Sequence, residues 1–254
     1  MIEAITFSTG EKKYKALLHQ PIDISIPLKS GRENPNCYWA ESVQTEPIIS
    51  GKFIGSVAQG GPVNHQKISL TPHGNGTHTE CYGHISSDNN ATLNRLLQNF
   101  HFLAELISVK PELTTSGDEV ISLASIKGAL KETEAEAIII RTQPNEVGKK
   151  KKIWSGTNPP YFDPNAIEYL ASIGINHLLT DLPSLDRELD GGKLNAHKAF
   201  WQFPESTRKN ATITELIFVE NHVKDGVYLL NLQITSLELD ASPSKPILYP
   251  LTPI

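Results

Sequence analysis

Alternation of apolar and polar residues dominates both ends of the chain, and helical spacing appears only in its middle. The opening segment through Tyr14-Lys-Ala-Leu-Leu-His19 predicts a strand or hairpin turning at Thr9-Gly10-Glu11, because a period of two lays one face on a core. Asp23-Ile-Ser-Ile-Pro27 predicts another strand. After a long polar loop carrying Tyr38 and Trp39, Gln66-Lys-Ile-Ser-Leu70 predicts a strand leading directly into residues 73–84. Phe102 to Val109 reads as a strand ended by Pro111, and Ser122 to Glu132 as a helix with Leu123, Ile126 and Leu130 at helical spacing. The wholly apolar run Ala137-Ile-Ile-Ile140 predicts a strand buried on both faces. Asp163-Pro164 opens a helix by cap and first-turn proline, running to about Ser172 and ending near Gly174. Strand Ile175 to Leu179 follows. Thr212 to Phe218, Gly226 to Ile234 and Leu237-Glu-Leu239 predict the closing strands. Helix–strand alternation implies helices laid on a sheet. Without an internal repeat or linker, residues 1–254 read as one mixed α/β domain.

Bulk properties narrow the classes. A chain of 254 residues with 39% hydrophobic and 20% charged content is an ordinary globular composition. Its net charge of −5 argues against a general nucleic-acid surface. No apolar run is long enough to span a bilayer, and Met1-Ile-Glu-Ala-Ile-Thr-Phe7 lacks a secretory pattern. Cys37 and Cys81 are too few for a disulfide framework. The expected address is the cytoplasm. The Lys149 to Lys152 run is expected to be a solvated loop.

The candidate chemistry is concentrated in His73-Gly-Asn-Gly76-Thr77-His78-Thr79-Glu80-Cys81-Tyr82-Gly83-His84, which holds three of the chain's nine histidines. Imidazole and carboxylate suit divalent metals. An extended His78 to Glu80 would send both side chains to one face, with Thr77 and Thr79 on the other. Gly76 and Gly83 would let the backbone bend and bring His73 and His84 to the same point. Downstream, His197 precedes the apolar pair Phe200-Trp201 and alone reads as structural. Glu215 shares a face with Ile213 and Ile217 on its strand, where a carboxylate is costly unless paired, protonated or metal-bound. Glu220 competes with it.

These residues resemble the signature of the cyclase family of metal hydrolases, which includes bacterial kynurenine formamidases and isatin hydrolases: His-x-Gly-Thr-His-x-Asp-x-Pro-x-His. Gly76-Thr77-His78, Glu80 and His84 reproduce its spacing, and Asp23-Ile-Ser, Arg141-Thr142, Thr180-Asp181 through Asp186 and Asp240-Ala-Ser-Pro243 extend the likeness. Here one extra residue follows His73, Glu80 replaces the aspartate, Tyr82 replaces the proline, and His197 to Glu215 is a longer interval. The resemblance implies a compact β/β/α swivelling-type domain with a mixed sheet and flanking helices. It implies one or two divalent ions, zinc or else manganese, with His73, His78 and Glu80 on one. Glu80 would bridge to a second ion completed by His197 and Glu215. It further implies His84 as proton donor and acceptor, Trp39 in the substrate pocket, and a homodimer or homotetramer.

The expected function is hydrolysis of a formamide, cyclic amide or related small carbonyl compound. A metal-dependent cyclase or dehydratase, and a catalytically silent metal-containing binding protein, are the alternatives. Tyr38, Trp39, Tyr82 and Trp201 point to a flat or aromatic ligand. Thr77 or Ser184 would either orient water or substrate or simply bond backbone.

Overall fold

The computed structural model describes residues 2–131 and 134–254. Among them, ten strands share one sheet. They are β1 (Ile5–Thr9), β2 (Lys12–Ala16), β3 (Ile22–Asp23), β4 (His78–Glu80), β5 (His101–Val109), β6 (Ala137–Thr142), β7 (His177–Thr180), β8 (Thr212–Glu215), β9 (Gly226–Ile234) and β10 (Ala241–Pro253). Seven close on themselves in the order β10-β9-β5-β6-β7-β8-β4, with β4 returning to β10. Strands β5 to β8 run parallel, and β4, β9 and β10 run antiparallel to their neighbours. The remaining pairings add β3 and the β1–β2 hairpin to β10.

The mixed α/β expectation is correct, and the parallel strands show why the pattern could be read. Every residue of β6 is buried. Ile138 and Ile140 belong to one core, whereas Ala137 and Ile139 belong to the other. Leu178 and Leu179 divide in the same way, as the strand period requires. The first core lies between the sheet and helices α2 (Leu123–Ala129), α3 (Pro164–Ser172) and α4 (Asn195–Trp201), through Ile126, Ile167, Leu170 and Phe200. The second fills the closed sheet. Burying each such aliphatic side chain contributes about 1.5–3 kcal/mol. Helix α3 starts as expected, with the Asp163 side chain accepting from the Asn165 amide. The short α1 (Leu93–Leu96) lies beside the second core.

Several expectations need correction. Gln66–Ser69 is a strand, but it pairs with Gln44–Pro47 away from the main sheet and is fully exposed. Asp23-Ile-Ser-Ile-Pro27 shrinks to β3, and the strand placed at Ile175 begins at His177. The helix expected from Ser122 ends at Ala129, and residue 132 lies outside the described residues. Leu216 adopts a φ of 55°, which ends the alternation, so Ile217 joins the second core and no longer shares a face with Glu215. Leu237-Glu-Leu239 is not a strand; β10 follows it instead. Nor is the Lys149 to Lys152 run simply solvated: Lys149 Nζ donates to the buried Asp181 at 2.8 Å, and Lys152 covers the Trp154 ring. No helix of the described residues is long and apolar enough to cross a membrane.

Strand β7 carries a pH-sensitive element. His177 is buried against the Phe102 ring, 3.8 Å between centroids, with Nδ1 2.8 Å from the Thr212 hydroxyl. Burial, aided by the nearby Arg208 charge, pulls its imidazole down to about 4. The unfolded chain therefore holds a proton between pH ~6.5 and ~4 that the native chain refuses. Stability rises with pH across that window, by up to about 3 kcal/mol. His177→Gln is expected to remove this share of the acid sensitivity, measured by denaturant unfolding of both proteins at pH 4.5 and 7.5.

Candidate metal centre

Strand β4 is the seam of the closed sheet, paired with β8 on one side and β10 on the other. The register sets His78 opposite Glu215, and Glu80 opposite Ile213. His78, Glu80 and Glu215 therefore share the face covered by the helices, where Ile213 joins the first core. Thr79 points the other way and bonds the Thr214 hydroxyl at 2.8 Å. Helix α4 supplies His197 to the same face. Asp186 fixes that helix, accepting from the amides of Ala196 and His197 at 2.8 and 3.1 Å. Gly76 takes the positive φ expected of a bend, whereas Gly83 serves close approach of neighbouring chain. Gly76 has a φ of 91°, and a Cβ there would lie 2.5 Å from Leu28; at Gly83 it would meet the Ala91 carbonyl at 2.0 Å. His73 and His84 come together, with ring centroids 4.2 Å apart.

Glu80 is the hub. Its Oε2 lies 3.0 Å from His73 Nδ1 and 3.9 Å from His84 Nδ1, and its Oε1 lies 3.2 Å from His197 Nε2. His78 Nε2 is 3.4 Å from Glu215 Oε2, and His197 Nε2 is 3.8 Å from Glu215 Oε1. Three of the imidazoles are backed by an acceptor on their other nitrogen. His73 Nε2 donates to Asp240 at 2.7 Å, His78 Nδ1 to the Gly76 carbonyl at 3.0 Å, and His197 Nδ1 to Asp186 at 2.6 Å. Such backing fixes the tautomer and aims the remaining nitrogen, as around metal-binding histidines.

The donor set suits a cation. His78 Nε2, Glu80 Oε1 and Glu215 Oε1 are buried without a hydrogen bond, although each has an ionisable neighbour at 3.2–3.8 Å. Unsatisfied buried polar atoms are costly. Two buried carboxylates beside an imidazole are a donor set that a divalent ion neutralises. Ligand atoms of His73, His78 and Glu80 lie within 4.8 Å of one another, as do those of Glu80, His84 and His197, and those of His73, His84 and Asp240. The site's charges are interlocked. Burial alone would raise the Glu80 carboxyl, but His84, His197 and His73 hold it well below its usual range. Burial opposes charge on His73 and His197, yet Asp240 and Glu80 in one case, and Asp186 and Glu80 in the other, push each up to about 10.

The structure thus gathers His73, His78, Glu80, His84, His197 and Glu215. It leaves Glu220 elsewhere, paired with Lys150. Trp39 is 65% exposed, near Gly156, with its amide on the Ser155 hydroxyl. Its neighbour Tyr38 lines a small cleft with Trp154, Pro160, Ser184 and Asp186. Trp201 is a core residue whose indole donates to the Ala211 carbonyl. Tyr82 is buried, its hydroxyl on Asp88. Thr77 is committed to backbone, donating to Leu216 O and accepting from the Ile26 amide. In the sequence Asp186 and Asp240 stand only within weakly matching motifs. Their task depends on which histidine each reaches, and no spacing reveals that.

The Cyclase family model matches residues 22–187. The chain belongs to the Cyclase family. No curated protein sequence matches it. Solved structures resemble this Cyclase-family chain across nearly all its length. A predicted metal-dependent hydrolase from Bacillus stearothermophilus superposes with a TM-score of 0.62 at 18% identity, covering 91% of this chain and 98% of that one. An isatin hydrolase bound to the product analogue thioisatinate gives 0.62 at 15% identity, covering 92% and 93%. Isatin hydrolase A from Labrenzia aggregata, bound to benzyl benzoate, gives 0.63 at 13% identity, covering 91% and 93%. At such identities the likeness to these structures is one of fold. The His and Glu cluster that can hold a metal is this chain's own.

Proposed function

We propose that the chain is a metal-dependent hydrolase of a small formamide, cyclic amide or related carbonyl compound, cleaving a C–N bond that is not a peptide bond. The observation that carries this is the set of buried atoms His78 Nε2, Glu80 Oε1 and Glu215 Oε1, none of them hydrogen-bonded and each with Glu215 or His197 at 3.2–3.8 Å. His73, His78, Glu80, His197 and Glu215 would hold one or two divalent ions, zinc or manganese. A bound divalent ion supplies a water whose pKa is lowered toward about 7 and a Lewis acid for the carbonyl. Asp186 and the Gly76 carbonyl keep His197 and His78 in their ligating tautomers. His84, 31% exposed at the rim of the cluster, takes the proton from the attacking water and gives it to the departing nitrogen. A C–O bond forms as the C–N bond breaks. The likeness to isatin hydrolases favours a flat substrate, and the narrow cleft between Tyr38, Trp154 and Pro160 adjoins Asp186, the partner of His197. Trp39 stands one residue from that cleft, where it would meet the incoming ligand.

The test is elemental analysis of protein purified without chelator, followed by a hydrolysis screen of N-formyl aromatic amines and isatin-like cyclic amides. Chelation is expected to abolish turnover, and zinc or manganese to restore it. Full turnover by thoroughly metal-free protein would end the reading. Product mass separates hydrolysis, which adds one water, from cyclisation or dehydration. The same proposal includes a single domain and a cytoplasmic homodimer or homotetramer, to be checked by limited proteolysis, cell fractionation and light scattering.

A further inference from the structure

We propose that Asp240 is a positioning residue of this centre, one carboxylate that orients both the metal-ligand candidate His73 and the proton-transfer candidate His84. The inference rests on the function proposed above and adds to it a residue that no part of the histidine motif supplies. A single oxygen, Asp240 Oδ2, lies 2.7 Å from His73 Nε2 and 3.4 Å from His84 Nδ1. The two rings it touches are 4.2 Å apart at their centroids and tilted by 33°. With the His73 Nε2 proton held by Asp240, Nδ1 is the nitrogen a bound cation would take, and it lies 3.0 Å from Glu80 Oε2. The contact at His84 turns Nδ1 toward the carboxylate and leaves Nε2 on the opposite edge of the ring.

The backbone holds Asp240 in place independently of these contacts. The Cys81 amide donates to the Asp240 carbonyl at 3.0 Å, and the next residue, Ala241, is registered opposite Glu80. Gly83 admits the aspartate: a Cβ at that position would lie 3.2 Å from Asp240 Cβ. His73 itself is separated from Gly76-Thr77-His78 by one residue more than the family signature has. Its ring is held from the far side by Asp240, and its carbonyl accepts from the Cys37 thiol at 3.1 Å. His78 and His197 have acceptors that serve one ring each, whereas Asp240 serves two.

The experiment compares wild type with Asp240→Ala, Asp240→Asn and Asp240→Glu. Zinc(II) alone is titrated against a chromophoric chelator, and thermal melts show that each variant is folded. Losing such an outer partner is expected to weaken zinc binding by about 10–100-fold in the alanine variant and by less in the asparagine variant, with partial recovery in the glutamate variant and unchanged stoichiometry. On any substrate found in the hydrolysis screen, kcat should fall with little change in KM. Folded variants that bind zinc as tightly as wild type would overturn this proposal alone. Loss of a whole zinc equivalent would overturn it too, because Asp240 would then be a direct ligand. Wild-type protein that takes up no metal would overturn the function as well.

Discussion

Glu80→Gln is expected to strip the protein of its metal and of its turnover together. Glu80 is buried, with 1% of its side chain exposed, and its two oxygens reach His73, His84 and His197. The amide would replace an anionic acceptor by a group that presents N–H to a ring nitrogen or to a cation. Removing one partner from a buried charged set costs about 3–5 kcal/mol, which at 1.4 kcal/mol per decade weakens metal binding by about 10²–10⁴-fold. Metal content per chain, measured after dialysis against metal-free buffer, checks it. Retention of the wild-type content would show that the cluster is held together for another reason.

His84→Ala is expected to separate chemistry from binding. The ring stands at the accessible edge of the cluster beside Asp240, and its contact with Glu80 is the longest of the three. Metal content should therefore survive, while kcat falls by about 10²–10⁴-fold, the usual worth of a well-placed general acid–base. KM should change little. The same variant tests the binding-protein alternative. Unchanged ligand affinity with no detectable turnover in either protein would favour a catalytically silent receptor.

How much of this was readable along the chain follows from how local each feature is. His73, His78, Glu80 and His84 were legible because one loop, one strand and two glycines bring them together within a continuous segment. Buried β6 was legible because a strand covered on both faces needs only apolar residues. His197 was not legible from local pattern: its helix is short and is preceded by Leu194 in a left-handed conformation, with φ 50°. Its identification relied on the family likeness. Strand β10 escaped because it contains Pro243, Pro246, Pro250 and Pro253, and proline ordinarily argues against a strand that pairs on both sides. Asp240, at its threshold, escaped with it. Lys149 read as a surface charge because Asp181, its buried partner, is contributed by the end of a different strand.

Closure at the seam has a consequence for biosynthesis. The histidine segment leaves the ribosome well before either of its neighbours, since His78 must wait for Glu215 and Glu80 for Ala241. Contacts so distant along the chain form slowly, and an unpaired strand edge invites association with other chains meanwhile. A nascent polypeptide halted before Ala241 would already contain all six clustered histidines and glutamates, yet its central strand would still lack one of its two flanking partners.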